Sequence, residues 1–357
     1  MQLSIFTLVW TEACNFRCSY CYKKKGDASI DLSTAIKAVD FFAPFFAPEC
    51  QINFYGGEPL LAFSQIKKLV RHVEEKNKSL GKQIRFCIST NGSLIDDMVL
   101  EFLSRHKFSL LLSFDGLAQE ISRKKGSFKR TVAVLKKIME NPEIALMTNS
   151  VFTAETVKYL SDSIKFIARL GAPNIGFSLA SCPPWDRSSL LELKKEIASL
   201  REFILASYEK TEAFPLIDFK KDTEKGIFGC FAGQDRMTLT PDGRLWGCHL
   251  FPDYCGGNEG TREQNQYCFG DLDRFIKSHK TIYPRVLSNY SRLRMDYFRT
   301  PQMFCHICPE LEDCSVCPVD AAVSGEAMGR IPDWICRQNK IFRQEKALLW
   351  KEWGRGA

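Results

Sequence analysis

Leu3-Ser4-Ile5-Phe6-Thr7-Leu8-Val9 runs straight into Cys14-Asn15-Phe16-Arg17-Cys18-Ser19-Tyr20-Cys21. The apolar run reads as a strand, and the cysteines fall in the loop that must follow it. Similar β-branched or apolar runs recur at Gln51–Tyr55, Ile84–Ser89, Ser109–Phe114, Ile144–Val151 and Asn174–Leu179. Between them, apolar residues at every third or fourth position predict helices near Leu32–Phe46, Phe63–Leu80, Leu94–Arg105, Phe128–Met139 and Ala154–Leu170. The last ends in Leu170-Gly171-Ala172-Pro173, a helix-stop signal. Strands alternating with helices at roughly thirty-residue spacing predict βα units and a parallel α/β sheet. Six such units curl into a partial (β/α)6, TIM-like barrel; a flat doubly wound sheet is the competing arrangement.

A chain of 357 residues exceeds what one hydrophobic core usually holds. After a further helix at Ser188–Tyr208 the character changes: from about residue 215 Gly, Pro and Cys dominate, and nine of the fifteen cysteines lie beyond that point. A segment so poor in periodic pattern needs another source of order, and metal–thiolate bonds supply it. The expected division is therefore 1–215 for the barrel, 216–345 for a small loop-rich domain, and 346–357 for a tail ending a helix. That helix, Lys340–Trp353, is amphipathic through Phe342, Leu348, Leu349 and Trp353, and is expected to pack across the barrel.

With 45% hydrophobic and 25% charged residues the composition excludes a disordered, collagenous or coiled-coil chain. The net charge of +7, without basic tracts, gives no footing for a nucleic-acid partner and suits an acidic protein instead. MQLSIFTLVW lacks the basic leading segment of a signal peptide, and FFAPFFAP is interrupted by Pro44 and Pro48, so no membrane segment is expected. The expected compartment is cytoplasmic, where clustered cysteines point to metal or redox chemistry rather than disulfides.

The spacing C-x3-C-x2-C places three thiolates close enough to hold three irons of a 4Fe–4S cubane, leaving the fourth iron open. A zinc knuckle is the alternative, although zinc usually takes a C-x2-C pair with a distant partner pair. With Tyr20 just before its last cysteine, the motif Cys14, Cys18, Cys21 resembles that of the radical S-adenosylmethionine (SAM) enzymes. Gly56-Gly57-Glu58-Pro59 is similar to the family's GGEP segment, whose backbone meets the SAM ammonium; two glycines permit close approach and Glu58 adds an acceptor. Ser89-Thr90-Asn91-Gly92 and Ser113-Phe114-Asp115-Gly116 resemble segments that place Ser89, Asn91, Ser113 and Asp115 near the SAM ribose and carboxylate. All four landmarks fall at the C-terminal ends of successive strands, the face where parallel barrels build their sites. Arg123 stands where the family's histidine-containing stretch departs from this sequence; it either contacts the cofactor carboxylate or is solvated charge. Asn149 is a further polar candidate. The resemblance implies that an electron enters the sulfonium, giving methionine and a 5′-deoxyadenosyl radical that takes hydrogen from carbon.

Beyond residue 215, Cys230, Gly243 and Cys248 precede Cys305-x2-Cys308-x5-Cys314-x2-Cys317 and a later Cys336. The pattern resembles the SPASM extension of peptide-modifying radical SAM enzymes, and more distantly that of anaerobic sulfatase-maturing enzymes. The resemblance implies two auxiliary 4Fe–4S clusters, three in all. Cys230, Cys248 and Cys317 would serve one, with Cys255, Cys268 or an open position as its fourth ligand. Cys305, Cys308, Cys314 and Cys336 would serve the other; a zinc ribbon is the alternative. The two residues between Cys314 and Cys317 depart from the family's usual three. Cys50, Cys87 and Cys182 have no partner pattern and are expected to be buried small residues. Met237–Thr240, a Pro241-Asp242-Gly243 turn and Leu245-Trp246 predict a hairpin. His249 replaces the aspartate that sulfatase-maturing enzymes carry after this cysteine, and is either a base near neutral pH or an ordinary polar neighbour.

The resemblance implies oxidative modification of a peptide or protein, a cross-link or dehydrogenation, as in ribosomal peptide maturation. A dehydrogenase or epimerase acting on a small molecule is the second reading, and a non-enzymatic iron–sulfur electron carrier the third. Because Cys14 stands so near the start, no N-terminal peptide-recognition domain is expected, and barrel and auxiliary surfaces or a separate protein must hold the substrate. An acidic flavodoxin or ferredoxin would supply electrons.

Overall fold

All six expected strands form. The computed structural model describes residues 1–357 except 24, 209–213, 222–226, 228, 256–265, 325–326 and 355–357. The strands are β1 (Leu3–Thr11), β2 (Phe46–Gly56), β3 (Gln83–Thr90), β4 (Ser109–Ser113), β5 (Ala145–Phe152) and β6 (Ile175–Leu179). Each pairs in parallel with the next in chain order. The connecting helices are α1 (Leu32–Phe42), α2 (Phe63–Leu80), α3 (Asp97–Arg105), the short α4 (Gln119–Ser122), α5 (Phe128–Met139) and α6 (Leu160–Arg169). Along β2 to β5, buried residues such as Phe54, Ile88 and Leu112 alternate with more exposed ones, so one face packs on helices and the other faces a concave interior; β1 is buried from Phe6 to Thr11. α2 shows why its segment is helical: Ile66, Leu69, Val70 and Val73 follow the three-and-four spacing and are all buried. α1 ends earlier than the sequence pattern suggests. Pro44 cannot extend a helix, so the chain makes one 3-10 turn, Ala43–Phe45, and enters β2 at Phe46.

Among the described residues β6 does not meet β1, so the barrel stays open. Past the long helix α7 (Arg187–Tyr208), β7 (Arg236–Leu239) pairs in parallel with β1, on the edge that β2 leaves free. β8 (Arg244–Trp246) returns antiparallel to β7 as the expected hairpin, and β9 (Cys268–Asp271) follows it. The sheet therefore reads β6-β5-β4-β3-β2-β1-β7-β8-β9. Separated by the short α8 (Phe251–Cys255), this extension is covered by α9 (Leu272–Tyr290), whose Phe275 ring lies 5.9 Å from both Phe41 and Phe42 of α1. α10 (Pro318–Val323) and α11 (Asp333–Trp353) complete the chain. α11 starts well before Lys340 and runs unbroken past residue 345. It packs along α7, where Arg201 donates to Glu345 at 3.0 Å and to Glu352 at 2.7 Å. No described helix is long and apolar enough to cross a membrane.

Candidate functional site

The loop carrying Cys14, Cys18 and Cys21 leaves β1 and lies over the C-terminal ends of β2, β3 and β4. Gly56, the last residue of β2, and Gly57 make room for the stem of this loop. Gly56 has φ of +144°, and a Cβ there would stand 2.3 Å from the Thr11 carbonyl oxygen; one on Gly57 would stand 2.2 Å from that of Ala13. Instead the Gly57 and Glu58 amides donate to those oxygens at 2.7 and 2.9 Å. Glu58 is fully buried, and its carboxylate accepts from the Leu60 amide at 3.1 Å, the Thr90 hydroxyl at 2.8 Å and the Asn91 amide at 2.8 Å. Its two oxygens tie the β2 loop to the end of β3. Burial pushes this carboxyl up to about 7, against the pull of those hydrogen bonds.

Several residues expected at SAM hold the cysteine loop. The Asn91 side chain donates to Asn15 at 2.9 Å, and Asn15 in turn donates to Ser93 at 2.8 Å. The Ser19 amide donates to the Ser122 carbonyl at 2.7 Å. Tyr20 donates its hydroxyl to Asp115 at 2.8 Å, and Asp115 also accepts from Arg123 and from the Val151 amide, each at 2.8 Å. The Arg123 guanidinium lies 5.4 Å from the Tyr20 ring centre. Arg123 is buried, so the solvated-charge reading is overturned; the Asp115 carboxylate compensates its desolvation, while its Nε has no hydrogen-bond partner among the described residues. Ser89, Ser113 and Asn149 are different. They are half-buried on the concave strand face, Ser113 pairs with Asn149 in register, and Asn149 accepts from Ser178 at 3.4 Å.

None of the three thiols forms a disulfide; Cys14 and Cys18 are half-buried and Cys21 is exposed. Burial pushes Cys14 and Cys18 up, opposed at Cys14 by the Phe16 amide, 3.4 Å from the sulfur, and at Cys18 by the Arg123 charge. Cys14 and Cys18 each feel the charge of Cys21. Three neighbouring free thiols with an N–H on sulfur and a cation beside them are a donor set that fits three irons of a cubane. Among the described residues no three His, Cys, Asp or Glu side chains close around one point as for a single ion. Thiolates on separate irons stand further apart.

The later cysteines fall into two neighbourhoods. Cys305, Cys308, Cys314 and Cys336 line one cavity with Met295 and Leu311. Burial, then the other three sulfurs, pushes Cys305 up to about 11. Cys230 and Cys317 each lie within electrostatic reach of Cys248 instead, and burial pushes them up to about 11 and about 12. Cys255 is fully buried; Cys268 accepts from the Gly270 amide at 3.3 Å, and both lie, with Cys248, near the Tyr290 phenol. Of the unassigned cysteines, Cys50 is buried and Cys87 half-buried, but Cys182 is exposed, contrary to expectation, in the segment after β6.

Sequence reasoning missed the residues that join the two cysteine fields. Tyr22 and Tyr55 share a hydrogen bond of 2.8 Å. Tyr55 lies within electrostatic reach of Cys21, and Tyr22 of Cys248. Lys23 pairs with Asp253 of α8 at 2.8 Å, both side chains being 11–13% exposed, and its ammonium lies 5.2 Å from the Tyr55 ring centre. The His249 ring packs on Tyr55 at 4.6 Å, with Nδ1 3.7 Å from the Cys248 sulfur. Burial, then the charges of Lys23 and Arg236, pushes His249 down to about 3. The ring is therefore neutral and not poised near neutral pH, as the base reading expected. No local signal announces these pairs, since their members stand 33 and 230 positions apart.

Residues 8–167 match the Radical SAM superfamily. The match covers a little under half of the chain. The chain is 30% identical over 174 residues to the uncharacterized protein MJ0907 of Methanocaldococcus jannaschii, a match covering 47% of this chain and 60% of that protein. It is 23% identical over 324 residues to the radical SAM cyclopropyl synthase TigE of Paramaledivibacter caminithermalis, covering 82% and 68%. The chain thus spans about two thirds or less of the length of these relatives. Its fold is that of native anSMEcpe with bound AdoMet and Cp18Cys peptide, with a TM-score of 0.77, 17% identity and 99% of each chain covered.

Proposed function

We propose that this chain cleaves SAM reductively and uses the resulting 5′-deoxyadenosyl radical to oxidise a peptide or protein, leaving a cross-link or a dehydrogenated residue. The observation that carries this reading is the cradle of the Cys14–Cys21 loop, where contacts from three successive strand ends converge while its thiols stay unbonded. In the proposed division, residues 1–215 are the SAM-binding barrel and residues 216–345 the auxiliary iron–sulfur part, working in the cytoplasm. Cys14, Cys18 and Cys21 would hold the SAM-binding cluster. Cys230, Cys248 and Cys317, with Cys255 or Cys268, would hold one auxiliary cluster, and Cys305, Cys308, Cys314 and Cys336 the other. When bound, these groups supply the electron that splits the sulfonium and take up the electron left after hydrogen abstraction, in exchange with an acidic flavodoxin- or ferredoxin-type protein.

The chain's own residues would orient and shield. Ser89, Ser113 and Asn149 would meet the SAM ribose and carboxylate from the concave face, and the Gly56–Gly57 backbone would border its ammonium. Arg123, beside Cys18, favours the thiolate that binds iron. Tyr22, Tyr55 and His249 would wall the space between Cys21 and Cys248. The peptide class draws support from a relative named as a cyclopropyl synthase and from a like fold solved with a peptide. The test is anaerobic incubation with SAM, dithionite and candidate peptides, followed by mass spectrometry. The expected result is 5′-deoxyadenosine together with a peptide that has lost two hydrogens. Intact SAM would instead leave an electron carrier, and oxidation of a small molecule but of no peptide would move the assignment to that class.

A further inference from the structure

The sheet ends at β9, and beside it lies a cleft of about 740 Å3 far along the sheet from the strands that cradle the cysteine loop. Among the described residues no strand pairs with the outer edge of β9. Cys268, Phe269 and Gly270 of β9 form one wall, and α9 forms the other, with its Ile282 and Val286 buried at the floor. Three arginines line the same space: Arg244 of β8, and Arg274 and Arg285 of α9. Arg274 and Arg285 are eleven residues apart, close to three helical turns, which puts them on one face of α9 despite the break in helical geometry at Ser278.

The charges are unequal. Arg244 shares the Asp242 carboxylate at 3.4 Å. Arg274 and Arg285 are exposed and have no carboxylate within ion-pair distance among the described residues. Asp271 also lines the cleft, but its carboxylate accepts the Arg274 backbone amide at 2.8 Å as the cap of α9. A groove bordered by separated, exposed guanidinium groups fits an extended chain carrying carboxylates, each side chain reaching one fork. A globular carrier would need a flat or raised contact, and the cleft offers neither.

We infer that this cleft receives an acidic, extended stretch of the peptide substrate, at a distance from the residue that reacts. The inference rests on the peptide reading above and names what that peptide must carry. Anchoring a remote stretch raises the effective concentration of the reacting residue at the barrel without contact between the anchor and the chemistry.

The test uses the full chain, loaded with iron and sulfide, and fluorescence anisotropy at low salt. The probes are a labelled decapeptide of alternating Glu and Ala, its Lys–Ala counterpart, and a labelled single-stranded oligonucleotide. The Glu peptide should bind, and the Arg274→Glu/Arg285→Glu variant should weaken it about tenfold or more. The same charge change placed on α5, Lys129→Glu/Lys136→Glu, should leave affinity within about twofold. Both arginines are exposed, and a thermal melt confirms that the variants fold. Unchanged affinity in the cleft variant, an equal loss in the α5 variant, or equal binding of the Lys peptide or the oligonucleotide would overturn the inference. SAM cleavage with dithionite, measured in parallel, should be unaffected by the cleft variant. Its absence in every sample would sink the radical reading while the binding result stood on its own.

Discussion

The Cys14–Cys21 loop and the Cys305–Cys336 pocket both gather thiols, but by opposite means. Around the first, the protein supplies the order. Asn15, Ser19 and Tyr20 are bound to residues at the ends of different strands, and Glu58 and Asp115 sit fully buried beneath them. Around the second, α11 brings in Cys336, and its Asn339 and Arg343 reach back to Ser315, Glu310 and Asp313, but the remaining cysteines sit on no long element. There the backbone turns through short 3-10 segments, Met295–Tyr297, Cys305–Ile307 and Leu311–Asp313, and its local hydrogen bonds, such as Cys308 to Cys305 at 2.9 Å, span only one turn. The sulfurs themselves line the void. In the proposed reading, the first site is built to receive a metal group, while the second takes more of its order from one.

Stripping iron with a chelator tests this contrast most harshly. Amide exchange across residues 295–317 should accelerate on the order of a hundredfold, while β3 and β4 keep their protection. Equal loosening of both regions would break the comparison. Next in size is the buried pair beneath the first loop. Asp115→Asn leaves Arg123 charged and unpaired, which should lower unfolding free energy by about 3–5 kcal/mol in denaturant titrations. Iron should be lost from the first loop and kept by the auxiliary cysteines, and adding Arg123→Met should recover part of the stability.

The Glu58 carboxyl gives a pH signature. Its folded value of about 7 exceeds the ordinary 4.5, so the folded chain holds the proton more tightly than the unfolded chain does. That stability is complete below the ordinary value and is lost as pH rises through about 7, a change on the order of 3 kcal/mol. Glu58→Gln should flatten this slope in melts taken from pH 5 to 8; an unchanged slope would mean that other groups carry it. Smaller still, the Lys23–Asp253 pair couples the two cysteine fields. Lys23→Met and Asp253→Asn should each cost about 1–2 kcal/mol, and the double variant little more than either alone. Full additivity would show the fields to be independent. The least effect belongs to His249. Because its ring is held neutral, His249→Gln should leave the pH dependence of turnover near neutrality unshifted, whereas a moved profile would restore it as a base.

The barrel half was legible because periodicity is a local property. Ile66, Leu69, Val70 and Val73 announce α2, and the apolar runs announce β1 to β6. Of the extension, the β7–β8 hairpin was legible from its Pro241-Asp242-Gly243 turn, but the pairing of β7 with β1 was not, because it joins segments more than two hundred positions apart. α9 escaped notice because Pro284 and the break at Ser278 interrupt its repeat. At the site, the motif positions were legible but their neighbours were not. Gly56 and Gly57 mark a close approach whose partner turned out to be the loop stem. Arg123 looked like surface charge because nothing in its own stretch reveals Asp115 folding back onto it. Cys317 lies near Cys248 rather than in the four-cysteine cavity, a placement that the resemblance implied and that spacing alone did not.

The central claim is that Cys14, Cys18 and Cys21 alone leave a metal corner free for SAM. Its most direct measurement is the change in the electron paramagnetic resonance spectrum of the dithionite-reduced, iron-loaded chain on adding SAM, compared with the variant Cys14→Ala/Cys18→Ala/Cys21→Ala. The account predicts that SAM perturbs a cluster signal in the native chain, followed by release of 5′-deoxyadenosine. In the variant the auxiliary signals should remain, with neither perturbation nor product. SAM cleavage that survives loss of all three thiols, or a native spectrum indifferent to SAM, would contradict it.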